Sequence, residues 1–427
     1  MPVRLSANMY FTACCPPAQA PILRKSRLWT KCEPRTSRVF GCDATVQCDY
    51  RYSMEAFQTD ILIGYESALR LFGQAGGIGA VLQTELAQRR IGNARQALTA
   101  FEKMTFLSGE MSGYGPEACL LPDFLTRTLT SHEVLETVRN HCPVLLDHLP
   151  VDLVVMNAET RLQSKAVRCR TWNRAIPAGG IVRFAEHLFL SSPEFAFVQL
   201  ARGNSMLRLA YIASGLCGAY CRDDSSLMKR RPLTTLVMLA LYLEAMEREP
   251  DGLHMRRPDG WTKARRALSY AIEGARSPEE IACGMLLGMP TRLGGFGLGM
   301  PLSNPSITIS ISTSGGERLV ERFPDLYWPE RKLIVEYDSD AFHTGGRRRG
   351  QDANRVLEFR AAGYTVVSLT TSQLFTYGLL ENAARQMIAE TGTERQLKRF
   401  DETRLRMQGR RTEAHRVLVD CCLNGLV

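Results

Sequence analysis

Three acidic residues in the last third of the chain are spaced as a cation-binding cluster would be. The stretch reads Phe323-Pro324-Asp325-Leu326-Tyr327-Trp328, then Pro329-Glu330-Arg331-Lys332, then Leu333-Ile334-Val335-Glu336-Tyr337-Asp338. Two strand-like runs flank a short polar turn, which is the pattern of a β-hairpin. Pairing Trp328 with Leu333 across the turn sets Asp325 opposite Glu336. Cross-strand neighbours on one face lie about 4.5–5.5 Å apart, where like charges repel. Asp338 follows Glu336 by two residues and points to the same face. Leu326, Trp328, Leu333, Val335 and Tyr337 fall on the other face, which reads as a core face. Carboxylates held together beside a buried face need a compensating charge, and oxygen donors favour a divalent cation. The chemistry this pattern suggests is that of a metal-dependent enzyme.

Other constellations carry less. His132, His141, His148 and His187 show neither triad nor ligand spacing and read as structural. No Gly-x-Ser-x-Gly elbow occurs, which argues against a serine hydrolase. The run Leu293-Gly294-Gly295-Phe296-Gly297-Leu298-Gly299 lacks the Gly-Lys-Ser/Thr ending and the preceding strand of a phosphate-binding loop. The chain has 13 cysteines, scattered without the paired spacing of a zinc site. Cys217 and Cys221 stand four apart on a predicted helix, with no second pair near them. Core thiols in a reducing cytoplasm are the expectation.

The elements that must position the acids are read from a chain of 427 residues, a length suited to roughly two or three domains. Hydrophobic residues make up 45% and charged residues 23%, an ordinary globular balance. The formal charge of +9 fits a polyanionic partner but does not require one. No stretch reaches the roughly 18 apolar residues of a membrane span. The best run, 233–243, stops at Glu244 and reads as a buried helix. A short, broken apolar stretch with a single Arg4 does not make a secretory signal, so a cytoplasmic protein without a membrane partner is expected.

Residues 1–52 read as an irregular segment with Pro16-Pro17 and five cysteines. An accessory domain is expected over 53–248, with helices at 56–72 and 80–105 and strands at 151–155, 166–172 and 181–189. Mostly helical chain is expected from 193 to 243. A linker and helix follow over 249–276. Ser277-Pro278-Glu279-Glu280 opens a helix, with a Ser cap, Pro in the first turn and acids at the positive end. From there the order is helix, strand, hairpin, helix over 351–362, strand over 364–369, and two closing helices over about 372–391 and 393–424. The fold class expected is α/β (α+β overall): a mixed sheet flanked by helices over 277–391, preceded by a helical and strand-containing domain and followed by a C-terminal helix over 392–427.

This order, with Phe323-Pro324-Asp325, Trp328-Pro329-Glu330, the run 333–338, His343, Asp352 with Arg355 and Gly363-Tyr364-Thr365-Val366-Val367, resembles the PD-(D/E)XK restriction-endonuclease-like superfamily. The nearer resemblance is to its branch related to very-short-patch-repair endonucleases, over about residues 277–391. Glu280 matches the family's upstream acid. More weakly, Tyr65–Gly73, Val151–Val155 and residues 190–194 resemble the front halves of abortive-infection antitoxin regulators. The resemblance implies a DNA phosphodiester hydrolase using Mg²⁺ or Mn²⁺, acting in defence or repair. Asp325, Glu336 and Asp338 would be the ligands, with Glu280 an outer or direct acid and His343 a proton-transfer group. Arg347, Arg348, Arg349 and Arg355 would contact phosphates. Asp338 stands where the superfamily usually has its lysine, which separates metal binding from catalysis. Asp352 and Arg355, three apart on a helix, fit a surface ion pair equally well. The alternatives are a non-enzymatic DNA-binding regulator on a nuclease-like scaffold, and a protein that contacts a toxin-like partner or a repair factor.

Overall fold

A computed structural model describes residues 60–74 and 129–423, apart from 156–157, 160, 163, 175, 178, 186, 224–225, 248–256, 314–315, 339–345 and 407. At 346–353 it describes the backbone alone. The irregular segment 1–52, the helix expected at 80–105, His343 and the side chains of Arg347, Arg348, Arg349 and Asp352 therefore lie outside the described residues. The chain divides into two units, Met1–Glu55 and Ala56–Val427, and every described residue belongs to the second. The architecture is mixed α and β. Among the described residues no helix is long and apolar enough to cross a membrane.

The first sheet begins with β1 (Ile61–Ile63), followed by α1 (Tyr65–Gly73), α2 (Ser131–His141), β2 (Val151–Val155), β3 (Val167–Thr171), β4 (Ile181–Ala185) and β5 (Leu188–Ser191). Its strand order is β3-β2-β1-β5-β4. Strand β1 is central, parallel to β5 and antiparallel to β2, and all three of its residues are buried. Here the expected helix over 56–72 is corrected. Three apolar residues are too few to show alternation, and they blend into the helical spacing of α1. Gly64 makes the strand-to-helix corner: a Cβ there would meet Val154 Cγ2 at 2.6 Å. The single strand expected over 181–189 is two strands, β4 and β5, turning back at His187, whose φ is 62°.

Helices α3 (Pro193–Leu200) and α4 (Met206–Leu216) follow, each capped by a serine side chain, Ser192 and Ser205. A hairpin of β6 (Tyr220–Asp223) and β7 (Ser226–Lys229) then interrupts the expected helical stretch. Cys217 caps the end of α4 while Cys221 lies in β6, so the two thiols do not share a helix face. Helix α5 (Leu236–Ala245) holds the apolar run and buries Leu239, Tyr242 and Leu243. Helix α6 (Trp261–Leu268) is shorter than the helix that the sequence suggests over about 261–274.

The second sheet starts after α7 (Pro278–Gly288) and comprises β8 (Leu302–Ser303), then, beyond a separate ribbon of β9 (Ile307–Thr313) and β10 (Gly316–Arg322), β11 (Leu326–Trp328) and β12 (Leu333–Asp338). Helix α8 (Gly346–Ala361) crosses over to β13 (Thr365–Thr370), and the strand order is β13-β12-β11-β8. Strand β12 runs parallel to β13 and antiparallel to β11. The chain continues through α9 (Thr371–Phe375), α10 (Tyr377–Thr391), α11 (Glu394–Arg406) and α12 (Gln408–Leu423), and the first expected closing helix is broken at Thr376. One face of the sheet joins the main core through Leu326, Trp328, Leu333, Val335 and Leu369. The other face packs Ile334 and Val366 with Phe359 of α8 and with Ile307 and Ile309 of β9 in a smaller core.

Candidate functional site

The hairpin forms in the register that its residues require. Trp328 pairs with Leu333, Tyr327 with Ile334 and Leu326 with Val335. A 3-10 turn over Pro329–Arg331 and a left-handed Lys332, φ 46°, close it. One step beyond the last paired residues, Asp325 comes beside Glu336, and the two carboxyl groups interact. The carboxylate face is not an open one. Tyr327 and Ile334 share it and are covered by Val356 and Phe359, which leaves the acids at the margin of the smaller core. The covering helix places Arg355 against them, and its Nη2 donates to Glu336 Oε2 at 2.5 Å.

Each acid is held differently. Glu336 is only 6% exposed and pairs with Arg355. Asp325 Oδ2 accepts the Tyr337 backbone N–H at 2.9 Å. Burial raises the Asp325 carboxyl above its ordinary range, against the opposing pull of that N–H, the Arg355 charge, the Glu336 hydrogen bond and the Arg276 charge. Asp338, at the end of β12, is exposed and faces Thr370 in register.

Glu280 reaches the same place from the first turn of α7, where Ser277 Oγ caps its backbone N–H at 3.1 Å. Its Oε2 accepts from the Arg276 N–H at 2.9 Å, Asn304 Nδ2 at 2.6 Å and Ser303 Oγ at 3.5 Å. Burial, and after it the charge of Asp325, push its carboxyl up to about 7 despite those donors. The Asn304 N–H also donates to the Asp325 backbone carbonyl at 3.0 Å, and the single Ser303 hydroxyl proton is shared between that carbonyl, at 3.2 Å, and Glu280. The two residues fasten Glu280 to Asp325, the residue that leads into β11, a role that no sequence pattern announced. The nearest signal is Asn304-Pro305, a turn-forming pair directly after a two-residue strand.

The structure thus brings together Asp325, Glu336 and Glu280, and adds Arg355. The expected compensating charge is partly present within the protein, because the Arg355 guanidinium supplies one positive charge at Glu336. Among the described residues no group of three or more His, Cys, Asp or Glu side chains is arranged to hold a metal ion. Mg²⁺, however, needs only one or two carboxylates, its other positions being filled by water and phosphate. Asp325 and Glu336 meet that smaller requirement in number, as adjacent oxygen donors.

The glycine-rich loop has a packing role. Gly294 has φ 96°, and a Cβ on it would lie 2.3 Å from the Ala414 carbonyl oxygen of α12. A Cβ on Gly295 would lie 2.3 Å from the Met289 oxygen. His415 Nδ1 is 2.8 Å from the Gly294 oxygen, and its ring lies against Phe296 and Tyr377 at 5.3 and 5.0 Å. The glycines allow α7 and α12 to close on the loop.

In the first sheet a second cluster surrounds Asp152, which is 1% exposed. Arg168 grips its two oxygens at 2.6 and 3.0 Å, and Arg170 Nε adds a bond at 3.0 Å. Arg170 also lies over the Tyr65 ring at 4.6 Å. This arrangement is an ion-pair network with its acid satisfied.

Compared with protein-family models, curated proteins and solved structures, the chain matches none of them.

Proposed function

We propose that the chain is a metal-dependent, endonuclease-like protein that acts on DNA phosphodiester bonds in defence or repair. The observation that carries this reading is the juxtaposition of Asp325 and Glu336 on one hairpin face, with Glu280 backing them from α7. Asp325 and Glu336 would hold Mg²⁺ or Mn²⁺, with Asp338 beside them at the strand end. The bound ion would supply a Lewis acid and an activated water for attack at phosphorus. Glu280, with its carboxyl near neutrality, would exchange a proton at physiological pH. Ser303 and Asn304 would fix its orientation through the bonds they give to Oε2. His343 and Arg347, Arg348 and Arg349 keep the roles that the resemblance implies, proton transfer and phosphate contact.

The test is plasmid nicking by the purified chain with Mg²⁺ or Mn²⁺. Nicking is expected from the wild type and lost in Asp325→Asn and in Glu336→Gln. Nicking that persists in both variants would remove these acids from the site.

One observation favours a second reading. The Arg355–Glu336 contact at 2.5 Å neutralises one acid without any ion, as a non-catalytic scaffold would. In a DNA-binding regulator of the antitoxin type, DNA affinity would fall with salt. It would not depend on the metal, and the double acid variant would bind DNA as well as the wild type.

A further inference from the structure

The smaller core places a cation against the acid cluster before any ion arrives. Arg355 sits on α8, the helix that covers the carboxylate face, and reaches down to Glu336 Oε2 at 2.5 Å. Glu336 is 6% exposed while the Arg355 side chain is 35% exposed, so the acid's end of the contact is poorly solvated and a charge there counts for more than in water. The guanidinium engages the acid through a single nitrogen. Its Nε is also buried and makes no hydrogen bond among the described residues. An arginine with five donors, one of them spent on the acid and another buried without a partner, is only partly satisfied. The same guanidinium acts on Asp325, whose carboxyl it pulls downward.

From this we infer that Arg355 is the resident counter-ion of the cluster and competes with a divalent ion for Glu336. The inference rests on the reading of Asp325 and Glu336 as ligands, and adds what stands there in the ion's absence. Glu336 Oε2 cannot serve a guanidinium at 2.5 Å and an inner-sphere ion in full at once. Two cations brought to one carboxylate also repel each other. Ion entry therefore releases Arg355 from Oε2, and the freed fork carries the geometry that suits a phosphate oxygen. Arg355 in this role is a positioning residue: it holds Glu336 in place when the ion is absent and lowers the affinity of the cluster for the ion.

The experiment is calorimetric titration of the full chain with MnCl₂ alone and with MgCl₂ alone at pH 8, in the wild type, Arg355→Gln and Arg355→Met. The methionine variant keeps an unbranched side chain without the charge, and serves where the glutamine variant does not fold. Thermal melts with and without the ion give a second readout, because an ion bound only by the folded chain raises Tm. The folded variants are expected to bind Mn²⁺ about tenfold more tightly than the wild type, and their Tm to rise further with the ion. Equal or weaker binding by the folded variants would overturn the competition while leaving the ligand assignment intact. Binding of neither ion by any of the three proteins would overturn both.

Discussion

Trp328 Nε1 donates to the Gly299 carbonyl oxygen at 2.6 Å, fastening the acidic hairpin to the end of the glycine-rich loop. The indole is 4% exposed, whereas Gly299 is exposed, so water can reach the carbonyl once the donor is gone. Trp328→Phe keeps most of the ring and removes the bond. Denaturant unfolding should show a loss of about 0.5–1.5 kcal/mol. A loss within experimental error would mean that the bond contributes nothing net.

Gly294 and Gly297 share a left-handed backbone, φ 96° and 78°, but differ in their surroundings. A Cβ on Gly297 would find its nearest neighbour, Thr291 Cγ2, at 3.9 Å, whereas one on Gly294 would strike the Ala414 oxygen at 2.3 Å. Gly297→Ala should cost only the conformational strain, about 1–2 kcal/mol. Gly294→Ala should cost clearly more, since α12 must also move. Paired thermal melts of the two variants measure the difference, and equal costs would refute the close-packing account of the loop.

Glu280 makes stability depend on pH in a fixed direction. Its carboxyl is raised from 4.5 to about 7 in the folded chain, so between those values the folded state binds more protons than the unfolded one. Stability should therefore fall as pH rises through that window, by on the order of 3 kcal/mol from this group, and level off above it. Glu280→Gln, which cannot ionise, should remove this part of the slope. Urea unfolding of both proteins at pH 5 and pH 8 tests it. A slope of the same size in the variant would mean that Glu280 is not its source.

Asp152 is the opposite case, an acid whose partners are already in place. Asp152→Asn leaves Arg168 and Arg170 facing a neutral amide in the first sheet. The fully buried case costs about 3–5 kcal/mol, and partial exposure of both guanidiniums (47% and 36%) lowers that to about 2–3 kcal/mol. Chemical denaturation at neutral pH reads it directly, and an unchanged midpoint would show that the network contributes no net stability.

The hairpin was the most legible part of the chain because its register depends on local facts. A polar turn of fixed length and alternating apolar residues suffice to place Asp325 opposite Glu336. The cap at Ser277 was legible for the same reason, since serine, proline and two acids stand in the order a helix start requires. Strand β1 was not legible, because Ile61-Leu62-Ile63 is buried on both faces and shows no alternation. Nor was the use of Arg355. Its ion pair spans 19 positions and depends on how α8 lies across the sheet, which no spacing rule encodes. The part played by Ser303 and Asn304 was hidden likewise, since their bonds to Glu280 close over 23 and 24 residues.

The contact between Gly294 and His415 has a consequence for the order of events on the ribosome. The two residues are 121 positions apart. The strands around Asp325 and Glu336 are complete once β13 has emerged, and they can pair while translation continues. The loop behind α7 cannot take its final path until the segment carrying His415 has also left the exit tunnel. A chain stalled when β13 has emerged and α12 has not would thus carry a paired sheet with an unsealed back, exposing to chaperones the apolar surface that α12 covers in the finished protein.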